Sequence, residues 1–160
     1  MTNNLIETTT TVLPEWADSN GHMNLAYYVL AFDQATDNFY DALEIGPEYR
    51  ARENSSMFTL GINVDYIREV FSGDSLRITT QLLECGEKRM RYIHYMYEGV
   101  SNEPVAMNEC LSIYVDMLTR KSAPFPESAR QRIDPVLDAH AQLPLPVHAG
   151  RVLGNKIKRN

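Results

Sequence analysis

EWADSNGHMNLAYYVLAFDQA, residues 15–35, sets an acid (Asp18), a glycine (Gly21) and an imidazole (His22) within five residues, directly ahead of a helix-like run. From Asn24 to about Leu43 the apolar positions Tyr28, Ala31, Phe32, Ala35, Phe39 and Leu43 recur at three- and four-residue steps, the period of an amphipathic helix. Asp33, Asp37 and Asp41 fall on another face. Asn24 is the better N-cap, which leaves Asp18 without that task. Gly21 gives the backbone access to positive φ or to close approach by a ligand. The helix that follows offers free N–H groups and a positive dipole end. Amides aimed at a carbonyl oxygen stabilise a developing oxyanion, and an acid nearby can attack that carbonyl or deprotonate a water. For Asp18 taken alone, a solvated loop carboxylate is the simpler reading.

Upstream, IETTTTVL (residues 6–13) is rich in β-branched residues and reads as a strand that Pro14 ends. Downstream, Gly46-Pro47 stops the helix and PEYRARENSS reads as a polar connection. The period then changes from helical to two. Phe58, Leu60, Ile62, Val64 and Tyr66 alternate with Thr59, Gly61, Asn63 and Asp65, the pattern of a half-buried strand. Strands at 75–84, 89–98 and 104–117 follow with short turns, so the four are expected as an antiparallel meander. A short helix is expected near 127–133. Asp134 onward, with Pro135, Pro144 and Pro146, reads as an irregular arm of the same domain, which gives a 1–133 core and a 134–160 arm. The order implies an α+β fold, with one antiparallel sheet of about five strands wrapped around one long helix. Tyr92, Ile93, Tyr95, Met96 and Tyr97 make the fourth strand apolar on both faces. The face away from the helix is therefore expected to meet another subunit.

With 160 residues, 44% of them hydrophobic and 22% charged, the chain has the composition of one globular domain. Its net charge of −6 gives no case for nucleic acid. No Lys or Arg precedes Arg50, whereas the last ten residues carry Arg151, Lys156, Lys158 and Arg159. No run approaches the ~20 apolar residues of a membrane span, and the N-terminus shows no signal-peptide pattern. Cys85 and Cys110 form no CxxC and read as inert core thiols. These features read as a cytoplasmic protein with no metal site.

The 15–35 stretch resembles the start of the hot-dog-fold acyl-CoA thioesterases of the 4-hydroxybenzoyl-CoA thioesterase-like superfamily. Their D-x-x-G-H-(M/V/I)-N-x-x-x-Y pattern is matched by Asp18, Gly21, His22, Asn24 and Tyr28. VDYIREVFSGDSLRITTQLLECGEKRMRY resembles the family's second block, and IYVDMLTRKSAPFPESARQRI its last strand and final helix. The likeness spans roughly residues 6 to 133. One departure is that Leu25 and Ala26 follow Asn24, where the family often has a further Asn. The E-W-x-D-x-N-G-H-M-N-x-A-Y-Y form most resembles the betainyl-CoA thioesterases of carnitine breakdown, as does the tail VLDAHAQLPLPVHAGRVLGN.

The resemblance implies a hot-dog fold, an acyl-CoA substrate, no cofactor, and a homodimer or homotetramer with active sites at the dimer interface. Asp18 corresponds to the catalytic carboxylate, as nucleophile or general base, and the N–H of His22 or a neighbour polarises the thioester carbonyl. A betaine acyl group carries a quaternary ammonium, which aromatic faces recognise. Trp16, Tyr27 and Tyr28 are the candidates, with Asn24 beside them; core packing is the simpler account of each aromatic. His94 and Glu109 are polar residues in apolar strands, either satisfied core groups or lining of the acyl pocket. Lys88, Arg89 and Arg91, or Arg120 and Lys121, are candidates for the coenzyme A phosphates, against the default of solvated turns. Two other activities fit the same fold: an acyl-thioester dehydratase or hydratase using His22 as base, and a non-catalytic acyl-CoA-binding module. The presence of Asp18 speaks against the second, and the lack of a matching helix-borne acid speaks against the first.

Overall fold

The computed structural model describes residues 5–154, so Lys156, Lys158 and Arg159 of the basic tail lie outside the described residues. The elements are β1 (Ile6–Thr11), α1 (Leu25–Ala42), α2 (Pro47–Glu53), β2 (Ser55–Tyr66), β3 (Ser75–Cys85), β4 (Arg89–Glu98), β5 (Pro104–Asp116), the two-residue β6 (Lys121–Ser122) and α3 (Glu127–His140). All strand pairs are antiparallel, in the order β1-β3-β4-β5-β2, with β6 on β5. The sheet wraps α1, giving the hot-dog arrangement that the resemblance implies.

α1 forms where its period places it. Asn24 Oδ1 accepts the Ala26 N–H at 3.0 Å, and Tyr28, Ala31, Phe32, Ala35, Thr36, Phe39 and Tyr40 make the buried stripe. Ala31 and Ala35 are fully buried, and their small side chains let the helix approach the sheet. The three aspartates of the opposite face are exposed.

Three local expectations fail, each for a physical reason. The polar connection after Gly46 contains α2, which begins on Pro47, where a missing N–H costs nothing, and is held by the buried Tyr49. One buried residue in seven leaves no period to read. The four-strand meander is also broken, because β2 pairs with β5 and β1 takes the edge of β3. The 67–74 connection therefore crosses from one side of the sheet to the other. Finally, β2 does not alternate cleanly. A bulge at Leu60 shifts the register between Thr59 and Gly61, so Phe58 lies opposite Ile113 while Ile62 and Tyr66 lie opposite Cys110 and Ala106. As an edge strand it is not half-buried: Phe58, Leu60, Ile62 and Tyr66 are 42–52% exposed.

The helix near 127–133 runs on to His140. Pro135 is tolerated because it sits on the exposed side, where water can satisfy the carbonyl it leaves unpaired. α3 lies beside the part of β3 that β1 does not reach, and His140 Nδ1 accepts the Leu82 N–H at 2.9 Å there. The irregular arm starts only at Ala141. It crosses the outer face of the sheet along a single row of paired residues, Gln81, Ile93, Glu109 and Asn63. Gln81 Nε2 donates to the Pro144 carbonyl at 3.4 Å, and Tyr95 pairs with His148 Nδ1 at 2.8 Å. Glu109 Oε2 accepts the Gly150 N–H at 2.7 Å, and Asn63 Nδ2 donates to the Arg151 carbonyl at 2.7 Å. Arg151 also pairs with Asp65. The middle of the outer face is thus covered within the chain, with Ile93 and Met107 fully buried or nearly so. The arm accounts for the burial of Ile93, while Tyr95 and Tyr97 of the same strand stay partly exposed.

His94 is fully buried on the α1 side. Thr36 donates its hydroxyl hydrogen to the Phe32 carbonyl, so His94 Nε2–H donates to Thr36 Oγ1 at 2.9 Å and Nδ1 accepts from Thr80 at 2.8 Å. Desolvation pushes its pKa down to about 3. Because the folded value lies below the ordinary one, the unfolded chain binds the proton more readily between the two. This contribution is complete above pH 6.5 and is lost as pH falls toward 3. Denaturant unfolding at pH 6.5 and 4.5 should show a loss of about 2 kcal/mol from this group. His94→Gln should lose less over the same interval; an identical loss in the variant would exclude His94 as its source.

Candidate active site

The loop ahead of α1 is a tight, self-bonded turn. Asp18 N–H donates to the His22 carbonyl at 2.8 Å, and Gly21 N–H to the Asp18 carbonyl at 3.0 Å. Gly21 has φ +80°, a region that costs glycine nothing. Asp18 Oδ1 accepts the N–H groups of Asn20 at 2.8 Å and of His22 at 3.3 Å. One carboxylate oxygen is therefore anchored, and Oδ2 is left free of the loop's own amides. The loop is tied to the 67–74 connection by a bridge between His22 and Phe71 and by Met23 N–H to the Val70 carbonyl at 2.9 Å.

That tie forms a cavity of about 340 Å³ whose walls include Asp18, His22, Leu25, Tyr28, Tyr66 and Glu69. Tyr66 donates its hydroxyl to the Leu25 carbonyl at 3.1 Å and meets the Tyr28 ring edge-to-face at 5.2 Å. Tyr28 donates to the Arg68 carbonyl at 3.2 Å. Burial raises the pKa of both phenols, so they stay neutral. His22 Nε2 lies 3.2 Å from Glu69 Oε2. Leu25 opens α1 and lines the cavity. From Asn20 to Tyr27, among the described residues, its amide is the one without an acceptor in the chain.

The structure therefore gathers Asp18, His22 and Tyr28 into one cavity and leaves other candidates outside it. Gly21 shapes the turn, and Asn24 caps the helix. Trp16 is 4% exposed, in the core with Val12 and Met23, and stacks on Tyr27 at 5.7 Å, so neither ring lines the cavity. His94 and Glu109 are satisfied polar groups in or behind the sheet, not pocket lining. Arg91 is held by Glu84 and Glu109. Lys88 and Arg89 lie in an outer groove beside Leu111 and Ile113. That groove is seven β5 residues from the Ala106–Tyr66 pair, roughly 24 Å along the strand. Glu69 and Tyr66 escaped the sequence reading. Both belong to the other end of the cavity, and the Met23–Val70 bond and the Phe71–His22 bridge bring Glu69 to the loop.

Burial pushes the Cys85 and Cys110 thiols up to about 11 and about 12, so neither is a nucleophile at neutral pH. Among the described residues no group of three His, Cys, Asp or Glu side chains could hold a metal ion, and no helix is long and apolar enough to cross a membrane.

Residues 12–133 match the model of the thioesterase-like superfamily. The chain is 35% identical to a betainyl-CoA thioesterase of Pseudomonas aeruginosa over 91% of each chain. It is 31% identical to an L-carnitine dehydrogenase/betainyl-CoA thioesterase of a Rhizobium species, covering 92% of this chain and 29% of that longer protein. A putative thioesterase of Pseudomonas putida superposes with a TM-score of 0.79 at 27% identity, covering 96% of this chain and 97% of that one. A hypothetical Staphylococcus aureus protein, solved in complex with CoA, superposes with a TM-score of 0.86 at 24% identity over 95% and 96% of the two chains. The match over most of the chain, on the fold built from the Asp18 loop and α1, makes this chain a member of the thioesterase-like superfamily.

Proposed function

We propose that this chain hydrolyses a small acyl-CoA, betainyl-CoA in particular, to the free acid and coenzyme A. The observation that carries the reading is that Asp18, with one oxygen free of its turn, and Leu25, whose amide has no acceptor in the chain among the described residues, line one cavity. The carbonyl oxygen lies toward the start of α1, where that amide and the helix dipole stabilise the oxyanion. His22 N–H is the weaker candidate, since Asp18 already engages it. Asp18 Oδ2 either attacks the carbonyl carbon, expelling the coenzyme A thiolate and leaving an anhydride that water opens, or takes a proton from the attacking water. His22 holds the far wall of the turn. The substrate comes from the cytoplasmic coenzyme A pool.

The catalytic unit is a homodimer or a higher assembly. What supports this is the edge of the sheet, where the twelve-residue β2, paired with β5 on one side, leaves its other side without a strand partner among the described residues and exposes Phe58, Leu60 and Ile62.

Glycine betainyl-CoA and 3,3-dimethylbutyryl-CoA have the same acyl shape and differ by one charge. The first should be hydrolysed with the higher kcat/KM, by several-fold or more, since a cation over an aromatic face is worth about 0.5–2 kcal/mol. Thiol release measured for both esters tests this. Equal values, or a preference for long-chain or aromatic acyl groups, would discard the betaine substrate and leave the hydrolase standing.

A further inference from the structure

In a betainyl thioester the ammonium nitrogen is two bonds from the carbonyl carbon, a separation of about 2.5 Å. Whatever reads that charge must therefore line the same cavity as Asp18. A quaternary ammonium has no N–H to donate, so recognition rests on negative charge and aromatic faces rather than on hydrogen bonds. Few groups in the cavity qualify. Asp18 is anchored to its own turn and assigned to the carbonyl, while Tyr28 is 4% exposed and Trp16 and Tyr27 lie outside.

Two groups remain. Tyr66 is 48% exposed and lines the cavity, and its hydroxyl bond to the Leu25 carbonyl holds the ring next to the first turn of α1. The Glu69 side chain is 60% exposed, and Oε2 rests on His22 Nε2. The remaining charge on the wall is Arg68, whose guanidinium lies 4.0 Å from Glu103. The wall thus carries two carboxylates against one guanidinium that already has an acidic neighbour. This balance suits a cationic acyl group and opposes an anionic one.

We propose that Glu69, with the ring of Tyr66, forms the subsite that selects acyl groups bearing an ammonium close to the thioester carbonyl. The inference rests on the thioesterase reading of the same cavity and adds to it the residues that set its specificity. Glu69 is a binding residue here, not a positioning residue for His22, and the two roles give different results.

The test is kcat/KM for glycine betainyl-CoA and 3,3-dimethylbutyryl-CoA, measured on the full chain and on E69Q, E69D and H22Q. The ratio between the two esters should fall about tenfold in E69Q, mainly through KM for the cationic ester. It should be largely kept in E69D, which retains the charge, and in H22Q, which removes only the neighbour. An E69Q ratio equal to that of the unmodified chain would overturn the proposal while leaving the betaine reading intact. So would an H22Q ratio that falls as far as that of E69Q. Equal rates on the two esters in the unmodified chain would overturn both.

Discussion

Replacing Asp18 by asparagine is expected to lower turnover of the best acyl-CoA by about 10²–10⁴-fold, the contribution typical of a positioned acid–base group. The same change should leave the fold in place, for a reason visible in the turn. Oδ1 of an asparagine still accepts the N–H groups of residues 20 and 22, so the anchoring bonds to Asn20 and His22 survive. What disappears is Oδ2, the oxygen that the loop leaves free. Its replacement is an amide nitrogen that can neither attack a carbonyl nor take a proton from water. Thermal unfolding of Asp18→Asn should thus match the unmodified chain within a few degrees while thiol release collapses. A variant that keeps most of its activity would remove Asp18 from the chemistry and turn attention to the His22–Glu69 pair.

How far the sequence carries this account depends on the range of each interaction. β1, α1, β3, β4 and β5 are legible because their signals are local. Three- and four-residue spacing marks α1, alternation and short turns mark the strands, and Asn24 announces the cap. Gly21 is legible too, since a turn that folds back on Asp18 needs a positive φ. The losses are non-local. Nothing in β2 says that it will pair with β5 rather than β3, and the single inserted residue at Leu60 reverses the facing of everything after it. Tyr49 holds α2 in place through contacts made far along the chain. The arm looks like a proline-rich tail until Gln81, Glu109 and Asn63 are seen to align beneath it. At the site, Asp18, His22 and Tyr28 come from one contiguous stretch and could be found together. Glu69 could not, since it reaches the cavity only through non-local ties, the Met23–Val70 bond and the bridge between Phe71 and His22. Trp16 misled for the opposite reason: adjacency in sequence to Asp18 placed it beneath the loop, in the core, rather than in the cavity.

A charge placed on β2 should separate the subunits and, with them, most of the activity. β2 is a long edge strand with apolar side chains exposed on it, the kind of edge that a stable monomer ordinarily shields. Two copies paired antiparallel through this edge would satisfy both rows of backbone groups and bury Phe58, Leu60 and Ile62 of each. The two-fold pairing also sets the Ser55 end of one β2 beside the Tyr66 end of the other. It carries the row of Phe58, Ile113 and Arg89 of one copy toward the cavity of its mate. Lys88 and Arg89, about 24 Å from their own Asp18 cavity, would then serve the neighbouring one, where coenzyme A phosphates need cations. Ile62→Lys or Leu60→Glu should therefore convert a dimer or tetramer at micromolar concentration to an 18.3 kDa monomer in sedimentation. Turnover should fall with it by an order of magnitude or more, although neither residue lines the cavity. Arg89→Glu should keep the assembly and raise KM for the coenzyme A ester. An unmodified chain that sediments as a monomer and is fully active would refute the shared site, and with it the role given to this edge.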